Sequence, residues 1–177
     1  MPGSKPSDRS KERIRDALLG LLARKSFANI SVAEITRQAG VARLTFYRNF
    51  ETREEVLLYH LDKLFEECVD AIENDTAATL EDALAEVFSY WREQGEFTRL
   101  LAKNNLEHLF WRPMEGYLSD MLDRFNLKGA FAPVQQRFIV GGLYALMLDQ
   151  AQEDAEADAR KAAKQVLALL WQAGTPA

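Results

Sequence analysis

The chain has one cysteine, Cys68, two histidines, five prolines and nine glycines among 177 residues. One cysteine excludes an internal disulfide and fits a reducing cytoplasm. His60, His108 and Cys68 are too few for a standard structural zinc site, so no metal is expected. The longest apolar stretch without charge, Phe138 to Leu148, has eleven residues. A membrane-spanning helix needs roughly 20, so this stretch reads as a buried helix and no membrane association is expected. No G-x-S-x-G elbow, phosphate-cradling glycine loop or Cys/His pair is present, and carboxylates scatter over polar helix faces. Neither an enzyme nor a cofactor is expected.

What the chain does have is 47% hydrophobic and 28% charged residues, the composition of a folded, helix-rich protein. Its net charge of −5 is unevenly placed. Residues 1–53 hold 11 Lys and Arg against 5 Asp and Glu, a net of +6; the remainder holds 11 against 22, a net of −11. A basic head on an acidic body suits a head that faces phosphates.

Apolar residues at Ile14, Ala17, Leu18, Leu21 and Leu22 fall at helical spacing from Lys11 to Lys25. Ser31 and Glu34 form an S-x-x-E capping box, with Ile30 and Ile35 as the hydrophobic staple of a short helix that Gly40 ends. A second short helix runs from Ala42 to Asn49. Thr52 and Glu55 make another capping box and start a long helix. Further helices are expected at about Leu80–Gly95, Phe97–Asn126 (broken near Pro113), Phe131–Gln152 and Ala155–Gln172. No strand-like alternation occurs, so the fold class is all-α. The expected organisation is a flexible arm at 1–10, a DNA-binding head at 11–53 and a helical body at 54–177.

Two short helices joined through Ala39-Gly40-Val41 make a helix-turn-helix, whose second member can enter the major groove of DNA. There Arg43 can donate to guanine and Thr45 to a base or phosphate, while Leu44 can make only apolar contact, as with a thymine methyl. Arg48 is either a further DNA contact or a solvated charge. The basic residues of the arm either track the DNA backbone or belong to an ordinary solvated terminus.

Ser31-Val32-Ala33-Glu34-Ile35, Ala39-Gly40-Val41, Thr45-Phe46-Tyr47-Arg48-Asn49-Phe50 and Arg53-Glu54-Glu55-Val56-Leu57 together resemble the TetR family of transcriptional regulators, from about Ile14 to Leu61. The resemblance implies that Arg43 and Thr45 lie near base edges. It also implies that Tyr47 and Arg53 hold phosphates and that Ser31 sits where the second helix meets the DNA backbone. Ala42 departs from a common capping serine, Leu44 from a glycine, Phe46 from a leucine and Asn49 from an aromatic residue. Leu44 should therefore alter base preference.

The resemblance further implies a homodimer formed by the last two long helices, reading a palindromic operator on double-stranded DNA. A repressor released by a small-molecule effector is the implied role. Candidate dimer residues are Phe138, Gly142, Leu143 and Leu146 on one helix, with Val166 and Leu170 on the other; packing within one subunit is the alternative. Trp91, Phe97, Trp111, Met114 and Tyr117, with the polar Asn104 and His108, are candidates for an effector cavity, or else ordinary core. The compact body is similar to a subgroup that includes regulators of dihydroxyacetone kinase operons, and it could answer to a protein partner instead of a small molecule.

Restoring a cap with Ala42→Ser should stabilise the isolated domain by about 0.5–2 kcal/mol. Thermal melting checks this, and no gain would move the helix boundary.

Overall fold

The computed structural model describes residues 6–74, 79–125, 131–152 and 159–173. They form nine α-helices and no strand among the described residues. The helices are α1 (Pro6–Leu22), α2 (Val32–Ala39), α3 (Arg43–Asn49), α4 (Arg53–Asn74) and α5 (Leu80–Glu93). They continue with α6 (Gly95–Lys103), α7 (His108–Arg124), α8 (Pro133–Gln152) and α9 (Ala159–Ala173). A single 3-10 turn, Phe27–Asn29, links α1 to α2.

The head is α1–α3 with the start of α4. Ile14, Leu18, Ile35 and Phe46 are fully buried at its centre. The capping box of α2 is complete: the Ser31 hydroxyl accepts from the Glu34 N–H, and the Glu34 carboxylate accepts from the Ser31 N–H. The staple residues Ile30 and Ile35 are both buried. Gly40 closes the helix at φ 62°, and the Val41 N–H returns to the Thr36 carbonyl. A Cβ at Gly40 would be strained by that φ and would also meet Arg13 Nη2 at 2.6 Å. That guanidinium donates to the Gly40 carbonyl, so Arg13 ties α1 to the turn.

A helix start, a cap and a helix break differ most from the sequence expectation. Helix α1 reaches back to Pro6, five residues before Lys11, with the proline in its first turn and Asp8 at its positive end; residues 1–5 of the expected arm lie outside the described residues. Only half of the second capping box forms as expected. Thr52 Oγ1 accepts from the Glu55 N–H, but the Glu55 carboxylate accepts from Glu51.

The break expected at Pro113 falls instead between α6 and α7, while Pro113 lies inside α7. Asn105 takes the left-handed conformation at φ 55°, the Leu106 N–H reaches the Leu101 carbonyl and the Asn105 N–H the Ala102 carbonyl. This is the same closure that Gly40 provides for α2, made here by an asparagine.

Helix α4 passes from head to body. Its first half packs on α1, and its second half meets α5 and α7. Helix α5 packs on both α8 and α9, and α6 and α7 both rest on α8. No described helix is long and apolar enough to cross a membrane.

Phe46 has no exposed surface and its ring meets those of Tyr47 and Phe50 at 5.4 and 6.0 Å. Phe46→Ala should therefore destabilise the protein by about 3–5 kcal/mol, read from urea denaturation.

Candidate nucleic-acid interface and body cleft

Burying Phe46 and Phe50 turns the opposite side of α3 outward. Arg43, Leu44, Tyr47 and Arg48 are all exposed, Leu44 at 61% and Tyr47 at 48%. Arg43 Nη2 donates to the Tyr47 hydroxyl at 3.3 Å, and its guanidinium lies 5.6 Å from that ring. The two side chains one turn apart thus hold each other upright on the outer face. Thr45 is half-buried, and its carbonyl accepts from Asn49 Nδ2 at 2.7 Å. No side chain caps α3 at Ala42.

Two other residues placed at the DNA backbone by resemblance are engaged within the head. The Ser31 hydroxyl is occupied by Glu34, whose carboxyl is held down at about 2 by Lys25 first and then by Ser31. The Arg53 guanidinium donates to the Phe27 carbonyl at 2.9 Å and also to the Ile30 carbonyl. It lies over the Phe27 ring at 4.6 Å. Both residues position the start of α2.

In the body, an apolar cleft is lined by Phe65, Cys68 and Ile72 of α4, Val87 and Trp91 of α5, and Met114, Tyr117 and Met121 of α7. Leu143 and Met147 of α8 close it, leaving a central cavity of about 50 Å³. Tyr117 stacks on Phe65 at 4.6 Å, and burial pushes the Cys68 thiol up to about 12, so it is an unreactive wall group. Of the candidate effector residues, Trp91, Met114 and Tyr117 reach this cleft. The other four do not. His108 is exposed, and Trp111 lies against Gly141 of α8. Phe97 packs edge-on to His60 at 4.6 Å, and Asn104 reaches the head. Leu143 was read in the sequence as a dimer residue and the α4 lining was not singled out, because apolar helical spacing looks alike in a core, a cleft and an interface.

Val134, Phe138, Gly142 and Leu146 recur every four residues along the outside of α8. Phe138 is 82% exposed and Leu169, on the neighbouring α9, 67%. Leu170 is half-buried beside them. Leu143 and Val166 do not belong to this face: both are buried inside the subunit, because each lies on the opposite side of its helix, toward the core. Gly142 faces open space, while Gly141 makes ordinary contact with Trp111.

A short helix held by a left-handed glycine turn, its polar side outward, on a separate helical body defines a helix-turn-helix protein of two all-α parts. The family described as bacterial regulatory proteins, tetR family, matches residues 14–59. That match covers the head and the start of α4, and over those residues the chain is similar to the family. An uncharacterised HTH-type transcriptional regulator of Haemophilus influenzae is 41% identical over 58 residues, 30% of this chain and 28% of that protein. The match therefore spans little more than a quarter of that relative's length.

The whole fold is similar to that of the dihydroxyacetone kinase operon activator DhaS, at 21% identity and TM-score 0.58, covering 93% of this chain and 95% of that one. It is likewise similar to Thermus thermophilus FadR, a repressor solved in complex with lauroyl-CoA. There the identity is 19% and the TM-score 0.58, covering 94% of this chain and 95% of that one.

Burial, with a smaller contribution from Arg15, pushes the His60 imidazole down to about 4; Asp16 opposes this weakly. Below the ordinary value of 6.5 the unfolded chain gains a proton that the folded one refuses. This contribution to stability is thus fully present above pH 6.5 and declines toward pH 4. Urea midpoints measured across that window should fall more steeply for the wild type than for His60→Leu.

Proposed function

We propose that this protein is a homodimeric transcriptional repressor that reads a palindromic operator through α3 and is released by an apolar effector held in the body cleft. The observation that carries the reading is the outward face of α3. Arg43, Leu44, Tyr47 and Arg48 share one exposed side of a helix whose other side anchors in the head core. An arginine can recognise guanine by two hydrogen bonds, and Leu44 can pack on a thymine methyl. Tyr47 and Arg48 lie within the same face for phosphates, which set register without reading sequence.

One such head reads only a few base pairs, so specificity calls for two. The apolar stripe of α8 with Leu169 supports a two-fold contact, since it leaves Val134 and Phe138 in water in the single chain. The cleft supports an effector with an apolar chain, because its walls carry no charged side chain. Its cavity is narrow, but Met114, Met121 and Met147 are unbranched and can move aside. The lauroyl-CoA bound by the Thermus thermophilus protein has a chain of this kind. The narrowness of the cavity favours one second reading, in which the body answers to a protein partner and takes no small molecule.

Selection of sites from random DNA should enrich a palindrome whose binding weakens steeply with salt. Arg43→Ala should then cost about 1–3 kcal/mol in affinity for the selected site while leaving the melting temperature unchanged. Failure to enrich any motif would remove α3 from the function. Lauroyl-CoA at a hundredfold excess over its Kd should add about 2.7 kcal/mol of stability; no stabilisation by any acyl compound would favour the protein-partner reading.

A further inference from the structure

We propose that the Asn104 side chain is a positioning residue that couples the body to the DNA-binding head through the backbone N–H of Phe27. The inference rests on the reading of α3 as the DNA contact, and it concerns how that contact is held.

Phe27 opens the 3-10 turn between α1 and α2. Both of its backbone polar groups are taken by side chains from distant elements. Its N–H donates to Asn104 Oδ1 at 2.7 Å, across 77 residues of sequence, and its carbonyl accepts from Arg53. Arg53 also holds the carbonyl of Ile30, immediately before the Ser31 cap of α2. The turn that sets where α2 begins is therefore gripped from α4 on one side and from the body on the other. Helices α2 and α3 pack together and are joined by the Gly40 closure, so they follow the turn as a unit.

Asn104 is itself held in place. Its Nδ2 donates to the Leu100 carbonyl at 2.8 Å. Only one orientation of the amide offers an acceptor to Phe27 and a donor to Leu100. The left-handed Asn105 next to it ends α6 abruptly and holds Asn104 at the helix end. At the other end of α6, Phe97 rests against His60 of α4. Helix α6 thus touches the head side at both ends, while its flank packs on α8, which supplies Leu143 and Met147 to the cleft. A displacement of α8 by an occupant of the cleft has a rigid path to the Phe27 N–H. A hydrogen bond can report such a displacement sharply, since its strength falls steeply with distance and angle.

The test uses the full chain and needs no effector. Amide exchange at Phe27, followed residue by residue by NMR, should be at least tenfold faster in Asn104→Leu than in the wild type. Asn104→Asp keeps the acceptor oxygen and should stay within about threefold. Affinity for the DNA site selected by the wild type should fall at least fivefold in Asn104→Leu and recover to within twofold in Asn104→Asp. Should the leucine variant fail to fold, Asn104→Ser, whose side chain is too short to reach, replaces it. Exchange at Phe27 that is unchanged in a folded Asn104→Leu or Asn104→Ser overturns the proposal, as does an equal loss of affinity in Asn104→Asp and Asn104→Leu. If the wild type selects no DNA site, the reading of α3 fails, while the exchange comparison still decides the role of Asn104.

Discussion

The structure depends on α4 being one unbroken helix that runs through the core of both head and body. Val56, Leu57 and Leu61 are buried in its first half, and Leu64, Phe65, Cys68 and Ile72 in its second. Twenty-two helical residues span about 33 Å at 1.5 Å each. The head and the cleft wall are thus two ends of the same helix. The body cannot repack around Phe65 without tilting an element on which α1 also rests.

Beside that connection, further contacts join head and body. Among the described residues they include the Asn104–Phe27 hydrogen bond and the Phe97–His60 ring contact. Each of these is weak alone, on the order of 1 kcal/mol net. Helix α4 keeps the parts together, and these weaker contacts brace the head against the body.

The body makes a similar division on α8. One side of the helix carries Ile139, Val140, Leu143 and Met147 into the subunit. The other carries Val134, Phe138 and Leu146 out of it. Both sides are apolar, so the helix has no polar face by which to tell solvent from core. The acidic balance of the body lies elsewhere, as at Glu81 and Asp82 of α5, which pair with Arg160 of α9.

The sequence by itself determined the all-α class, the helix-turn-helix and the cap of α2. These rest on local chemistry: a serine three residues before a glutamate, a glycine able to adopt positive φ, and apolar residues at a period of 3.6. Arg43 and Leu44 were legible as outward residues from their place near the start of the second helix, and Tyr47 from the resemblance; Arg48 had two readings, and Thr45, grouped with them, is half-buried. The end of α6 was not legible, since asparagine adopts the left-handed closure less often than glycine and Pro113 looked the stronger breaker. Nor could spacing show that Arg53 and Ser31 are engaged within the head, that Leu143 and Val166 face the core, or that Asn104 reaches Phe27 and not the cleft. Those assignments depend on which elements meet across long stretches of chain. An apolar or polar side chain at helical spacing has the same local signature whichever neighbour it finds, so only the tertiary structure decided them.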